Sequence, residues 1–384
     1  MNAFFKQLMN IIKKETVLSA AFMLAAISSF IVPPGPQYFS YIDWNTLLLL
    51  FSLMAVMAGF QKLGVFRIAG SQLLSKTVNT RQLLLILVFL PFFSSMFITN
   101  DVALITFIPF AIIVLRLSGQ EKLLIPLVVM QTIAANLGSM LTPMGNPQNL
   151  YLYAKSGMPL MAFLQLMLPY TIASGLCLLS VIFIMKSEAL ACNALSAAAL
   201  SGTDMPAGNN FQTRPKLICF CIGFLLCLLC VAKVLTPIVP AVIIFLYLLF
   251  TDKVLLKKVD YSLLGTFLCF FIFIGNMGNI ERFCTLLENV ITGHERIITV
   301  LASQIISNVP AALLLSGFTD EWHALIIGSN LGGLGTLIAS MASLISYKQI
   351  AKEYPESRKK YFQCFTFANA AMLAVLLVMS TLIS

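Results

Sequence analysis

Apolar runs of membrane-crossing length alternate along the chain with short polar stretches, and that alternation predicts helices buried in a bilayer. Uninterrupted spans are expected at Val17–Val32, Trp44–Phe60, Leu160–Ile184, Leu217–Val231, Pro237–Phe250, Tyr261–Ile274 and Tyr361–Ile383. The run Pro33-Pro34-Gly35-Pro36 stops the first, and Tyr38, Tyr41 and Trp44 serve as interfacial anchors for the second. Two further stretches, Leu123–Tyr153 and Trp322–Ser346, have span length but carry helix breakers. Within the first, Ala135–Asn149 (ANLGSMLTPMGNPQN) holds Gly138, Pro143, Gly145 and Pro147, and within the second, Ser329–Thr336 reads SNLGGLGT. A proline inside a helix costs about 3 kcal/mol, and backbone groups freed in lipid cost more unless protein or a water-filled cavity satisfies them. Both stretches therefore predict broken helices around a polar cavity.

Two other apolar stretches predict re-entrant hairpins. Leu83–Leu115 is too long for one ordinary span and breaks at Thr99-Asn100-Asp101; Ile297–Phe318 breaks at Ser307-Asn308-Val309-Pro310. Gln61–Arg81 and Ile280–Glu295 read as amphipathic surface segments, and Lys186–Lys216 as a flexible polar linker. The expected fold is an all-α polytopic membrane protein with nine crossings, two re-entrant hairpins and two broken helices.

The halves echo one another. Ile98-Thr99-Asn100 matches Ile306-Ser307-Asn308, and Asn136-Leu137-Gly138 with Thr142 matches Asn330-Leu331-Gly332 with Thr336 at the same spacing. The predicted organisation is an inverted-topology repeat: residues 1–185, a cytoplasmic linker at 186–216, a connector span at 217–232, and the second repeat at 233–384.

Charge tests that threading. The chain of 384 residues has 24 Lys and Arg against 15 Asp and Glu, a net +9. With the N-terminus in the cytoplasm and the C-terminus outside, only Lys155, Lys233, Arg282 and Arg296 fall outside, so the basic excess reports topology in a plasma (inner) membrane and not a nucleic-acid partner. The first span is expected to be retained, because no clear small-residue cleavage site follows it. Most of the nine cysteines sit in apolar runs without metal spacing, and Cys227 and Cys230 read as buried thiols. P-loop, HExxH, GxSxG and EF-hand patterns are missing, so neither ATP-driven pumping nor an enzyme is expected.

Asp101 stands alone as an acidic residue deep in an apolar stretch, where a carboxylate must be paired, protonated or bound to a cation; the alternative is a helix-capping role for Asp101 or Thr99. Neutral groups complete a candidate substrate and ion site: Thr99, Asn100, Asn136, Gly138, Ser139, Thr142, Gly145, Asn146, Asn149, Ser307, Asn308, Asn330, Gly332, Thr336 and Ser340. Na⁺ would find oxygen ligands at Asn100, Asp101, Asn136, Asn308 and Asn330. Half-helix N-termini would suit an anion. His294 and His323 are expected near the outer surface, solvated.

FITNDVALITFIPFAI (Phe97–Ile112), NLGSMLTPMGNPQNLYLY (Asn136–Tyr153), ISNVPAALLL (Ile306–Leu315) and SNLGGLGTLIASMASLI (Ser329–Ile345) resemble the ion transporter superfamily, which holds citrate and dicarboxylate transporters, arsenite efflux permeases and some Na⁺/H⁺ antiporters. The resemblance implies a scaffold domain and a transport domain per protomer, a homodimer, and no cofactor beyond Na⁺ or H⁺ as coupling ion. In the dicarboxylate branch both hairpin tips read Ser-Asn-Thr, whereas here the first reads Thr99-Asn100-Asp101, closer to the arsenite and antiporter branches. The expected function is secondary transport of a small anion of the citrate or dicarboxylate type by alternating access. Arsenite or antimonite efflux and Na⁺/H⁺ antiport are alternatives, and an ion channel is the alternative of another class.

Overall fold

The computed structural model describes residues 15–74, 77–190 and 210–383. Most of the basic lead and positions 191–209 of the expected linker lie outside them. In chain order the helices are α1 (Thr16–Ile31), α2 (Gln37–Tyr41), α3 (Trp44–Lys62), α4 (Val65–Leu74), α5 (Thr80–Ser94), α6 (Asn100–Leu117), α7 (Leu124–Ser139), α8 (Pro147–Ser156), α9 (Leu160–Ile184) and α10 (Asn210–Val231). They continue as α11 (Ile238–Thr251), α12 (Lys253–Leu256), α13 (Tyr261–Met277), α14 (Glu281–Ile291), α15 (Glu295–Ile306), α16 (Asn308–Leu315), α17 (Trp322–Leu331), α18 (Met341–Glu353) and α19 (Arg358–Ile383). Among the described residues the strand-like pairing is one isolated bridge, Asn79 with Ala189, so this is an all-α polytopic membrane protein. Its outer surface is apolar: Phe30, Ile184, Phe250 and Phe367 are at least 80% exposed, as lipid-facing side chains are.

Among the described residues, length and apolarity mark six helices that could cross a bilayer unaided, or seven if α13 and α14, bent by 107°, are joined. Against the nine crossings expected, α1 with 16 residues and α11 with 14 are apolar but short, and α7 is parted from α8, and α17 from α18, by the two breaks.

The ends of the first hairpin are held together, and residues flanking the second pack on one another. Thr80, opening α5, donates its N–H to the Glu188 carbonyl at 2.9 Å, and Lys122, just past α6, donates to the Glu188 carboxylate at 2.6 Å, so the two ends of the first hairpin meet at one residue. That bond from Lys122 also holds the exposed Glu188 carboxyl below its ordinary range. Around the second hairpin, Phe283 before it packs on Phe318 after it, ring centroids 5.5 Å apart. The eight residues of α16 reach about 12 Å, far short of a hydrocarbon core of about 30 Å. The outgoing arm of the first hairpin is longer than expected, since 18 residues give α6 about 27 Å.

Two packing groups emerge. One joins α1 to α13 and α3 to α10 and α11; in the other, α5, α6 and α9 pack on α7, and α15 on α16 and α17. Aromatic rings bridge them: Tyr151 of α8 lies 6.1 Å from Phe267 and 5.6 Å from Phe271 of α13, centroid to centroid. Close approach within the groups depends on glycine. A Cβ at Gly59 would meet the Phe220 ring at 2.3 Å, and one at Gly275 the Tyr41 ring at 2.2 Å.

Three boundaries differ from the sequence expectation. The connector helix α10 starts at Asn210 and not Leu217, because its polar first turns can be helical outside lipid, where hydropathy does not mark them. Lys186–Leu190, expected as free linker, is tied down by the Asn79–Ala189 bridge and by the bond from Leu190 N to Val78 O at 3.0 Å. The second helix break runs to Ser340, whereas in the first broken helix α7 continues to Ser139 and keeps Gly138 helical.

A Cβ on Gly138 would stand 2.0 Å from the Phe92 carbonyl oxygen, a backbone atom that cannot swing aside. Gly138→Ala is expected to destabilise the detergent-solubilised protein by about 1–3 kcal/mol, read as a lowered thermal midpoint. An unchanged midpoint would show that the α5–α7 contact is loose.

Candidate functional site

The hairpin tips share an unusual backbone. Thr99 (φ 50°) and Ser307 (φ 76°) occupy the left-handed side of φ, which non-glycine residues rarely adopt and which costs on the order of 1 kcal/mol or more. At the second tip the chain reverses within the single residue Ser307, whereas residues 95–99 separate the arms of the first, and Asn100 and Asn308 are the first residues of α6 and α16. Behind each tip a threonine from the facing break bonds to the incoming arm: Thr142 Oγ1 donates to the Met96 carbonyl, and Thr336 Oγ1 to the Gln304 carbonyl at 3.1 Å. The matching motifs thus take matching geometry.

Between tips and breaks lies a network of buried neutral amides. Asn136 Oδ1 accepts from Asn100 Nδ2 at 2.9 Å and from Ser340 Oγ at 3.1 Å, joining the first hairpin to the second break. Asn146 Nδ2 donates to Ser139 Oγ at 3.2 Å and Asn330 Oδ1 at 3.1 Å, while Asn330 Nδ2 donates to Asn149 Oδ1 at 2.6 Å, joining the two breaks. Asn149 Nδ2 in turn holds the Met140 and Thr142 carbonyls. The backbone groups that the helix breaks set free are in part satisfied by these side chains, as a bilayer interior requires.

A cavity of about 470 Å³ reaches Thr99, Asp101, Asn146, Pro147 and Met341, and an adjoining pocket shares Asp101, Pro147 and Met341 and adds Asn100, Gln148, Ser307, Asn308 and Ser340. Asn100, Pro147, Asn308 and Met341 are the first residues of α6, α8, α16 and α18, so four helices begin at this space. Each presents the positive end of its dipole there. For α6, α16 and α18 the cap residues Thr99, Ser307 and Ser340 make no side-chain capping bond; Asn146 caps α8 by accepting from Asn149 N at 3.0 Å. A capping role for Thr99 is not what the structure shows, and Asp101, in the first turn of α6, keeps a buried Oδ1 without a partner.

The remaining expected residues stand around the cavity and not on it. Asn136 is buried behind Asn100, its Nδ2 unpartnered. Gly138, Gly145 and Gly332 are close-approach positions: a Cβ would come within 2.0 Å of Phe92 O, 2.0 Å of Ser139 O and 2.5 Å of Ser303 Oγ, respectively. Ser139, Thr142, Asn149, Asn330 and Thr336 bond within the protein. Sequence reasoning passed over Gln148 on the wall of the adjoining pocket, the half-buried Glu15 and the exposed Lys258, Asp260 and Lys348. Gln148 sits inside the quoted stretch, and its position directly after the proline that opens α8 was the signal. It also passed over Gln304, whose Nε2 holds the Gly332 and Leu334 carbonyls and whose Oε1 accepts from Thr336 N, clamping the second break. Among the described residues no group of three or more His, Cys, Asp or Glu side chains could hold a metal.

Two hairpin tips and two breaks surround a cavity whose wall also includes apolar residues such as Leu53, Met57 and Leu150, and comparison with known proteins gives the family. Residues 8–320 match the citrate transporter family, CitMHS. The chain belongs to that family. A citrate transporter family member of this kind is also similar, at 32% identity over 81% of its length and 82% of the relative's, to an uncharacterized transporter of Methanocaldococcus jannaschii. An inner membrane protein of Escherichia coli is 30% identical over 83% of this chain and 84% of its own. A rice protein named as a silicon efflux transporter shares 29% identity over 48% of this chain and 36% of its own.

Asn330→Leu would strand Asn149 Oδ1 in a buried place, at about 1–3 kcal/mol, and leave Asn146 Nδ2 with Ser139 Oγ alone. The expected result is a clear fall in the thermal midpoint of the purified protein, larger than for the exposed Thr336→Val.

Proposed function

We propose that this chain moves a small anion of the citrate or dicarboxylate type across the membrane by alternating access, coupled to Na⁺ or H⁺. The observation that carries the reading is the convergence of four helix N-termini on two adjoining pockets beside Asp101. No lysine, arginine or histidine lies among the hairpin-tip and break residues themselves, so the anion would be held by helix ends, amides and hydroxyls. Family membership supports transport, and the unpartnered Asp101 Oδ1 supports a coupling cation.

Lys258 and Lys348 line the mouth of the cavity, on the face that the positive-inside rule gives to the cytoplasm. In our reading this conformation is open inward, with the N-terminus inside and the C-terminus outside a plasma (inner) membrane. The matched geometry of Thr99 and Ser307 supports an inverted repeat. The packing group built on α1, α3, α10, α11 and α13 would be the scaffold, paired in a homodimer, and the other the moving body. A second reading, efflux of arsenite or antimonite, is favoured by the aspartate at the first tip, and the rice relative is named as an efflux transporter, of silicon.

Purified protein in liposomes should take up labelled citrate or succinate under an imposed Na⁺ or proton gradient; movement of arsenite alone would favour the second reading, and movement of none above empty vesicles would sink both. Asp101→Asn is expected to lower gradient-driven uptake at least about tenfold with the fold intact by circular dichroism. For sidedness, a cysteine introduced at Lys155 should react with an impermeant reagent from outside and one at Lys253 only from inside.

A further inference from the structure

Two helices end at one corner, on the face that the positive-inside rule gives to the outside. The connector α10 closes in a Schellman turn: Val234 N bonds to Leu229 O and Lys233 N to Cys230 O, both at 2.9 Å, and Lys233 takes the left-handed backbone at φ 60°. Glycine is the usual residue in that place, because it adopts the conformation without strain. At the end of α8 the residue in that conformation is Gly157, at φ 69°. At α10 a lysine accepts the strain, on the order of 1 kcal/mol, and its side chain shows what is gained.

That side chain crosses to the other packing group. Lys233 Nζ donates to the Gly157 and Met158 carbonyls at 2.7 and 2.8 Å, and stands 5.0 Å from the centre of the Tyr153 ring. Tyr153 donates its hydroxyl back to Val231 O at 2.8 Å, so the contact is reciprocal. The ammonium faces the negative end of the α8 dipole, and charge-assisted bonds of this kind are stronger than neutral ones. They join α10, which packs on α3, to α8, which packs on α16 and α17. At two other points of the boundary the contacts are softer: the Tyr151 ring against α13, and Gln61 Nε2 donating to Thr106 Oγ1 at 3.4 Å between α3 and α6.

Helix α8 links this corner to the cavity. Its first residue, Pro147, lines the cavity, its last, Ser156, adjoins Gly157, and its ten residues make a rod of about 15 Å. A grip on one end therefore fixes the other. Lys233 is exposed, so water can take over its bonds when they part. We propose that Lys233 is a latch: it holds α8 to the α10–α11 corner in the inward-open arrangement and must release Gly157 and Met158 for the cavity to turn outward. This rests on the alternating-access reading above.

A fixed staple would make the same bonds and never release them, and Lys233→Gly separates the two roles. Glycine removes the ammonium while suiting the backbone, so the fold is kept. Full-length protein in detergent carries spin labels, attached through azidophenylalanine, at exposed Phe39 of α2 and exposed Asp320 between α16 and α17. Double electron–electron resonance reads the distance between the two packing groups without any substrate. Wild type is expected to give one dominant distance. Lys233→Gly should raise the ratio of a second distance to the first at least about tenfold, Tyr153→Phe less, and Lys233→Arg should keep the wild-type distribution. A Lys233→Gly distribution identical to wild type overturns the latch, and a lowered thermal midpoint beside it makes Lys233 a staple. In liposomes, Lys233→Cys with Met158→Cys, joined by a short reducible bis-methanethiosulfonate linker, should stop uptake of labelled citrate or succinate until dithiothreitol restores it, with the parent protein given the same linker as control. Full uptake through the linked protein would also overturn the proposal. If the second distance appears in Lys233→Gly while liposomes carry neither anion, the latch stands and the substrate reading fails.

Discussion

In a bilayer core a peptide group has no water to turn to, and this structure is an answer to that constraint at four places where helices stop. At the stops other groups replace the lost intrahelical bonds. Asn149 reaches the Met140 and Thr142 carbonyls of its own break, Gln304 the Gly332 and Leu334 carbonyls, and the second tip is pinned by Asn308 N bonded to Ala339 O at 2.9 Å. Because Asn136 also bonds to Ser340, and Asn330 to Asn146 and Asn149, the interruptions of the two halves stabilise one another. None is expected to persist alone.

The same arrangement concentrates electrostatics without charged side chains. Helix N-termini carry partial positive charge wherever they fall, and four falling together make a field that water cannot screen well. Asp101 stands among these helix starts, and Glu15, Asp260, Lys258 and Lys348 also line the cavity.

Much of this was legible in the sequence because proline, glycine and asparagine have few reasons to cluster inside an apolar run. The hairpin tips, both breaks and Asp101 were found by that signal, and Thr99 and Ser307 do sit at the chain reversals. Pattern could not separate a residue that faces the cavity from one that supports it. Gly138 and Gly145 looked like binding-loop glycines, yet backbone atoms lie where their Cβ would be. Gln148 and Gln304 were passed over because glutamine is common and its role depends on which way the side chain turns. Boundaries failed where helices leave the lipid: the start of α10 at Asn210 has no apolar signature to announce it.

The aromatic seam between α8 and α13 has a consequence for movement. Tyr151 meets Phe267 and Phe271 through ring faces and edges, and its hydroxyl turns the other way, sharing a hydrogen bond with Ser316 of its own packing group at 2.9 Å. Ring contacts depend little on register, since one aromatic surface can be exchanged for the next at a small cost in dispersion energy. Hydrogen bonds are the opposite, all or nothing within a few tenths of an ångström. The amide bonds join the tips and breaks to one another, while the contact between α8 and α13 at Tyr151 relies on rings, so a shift along α13 would cost Tyr151 no hydrogen bond.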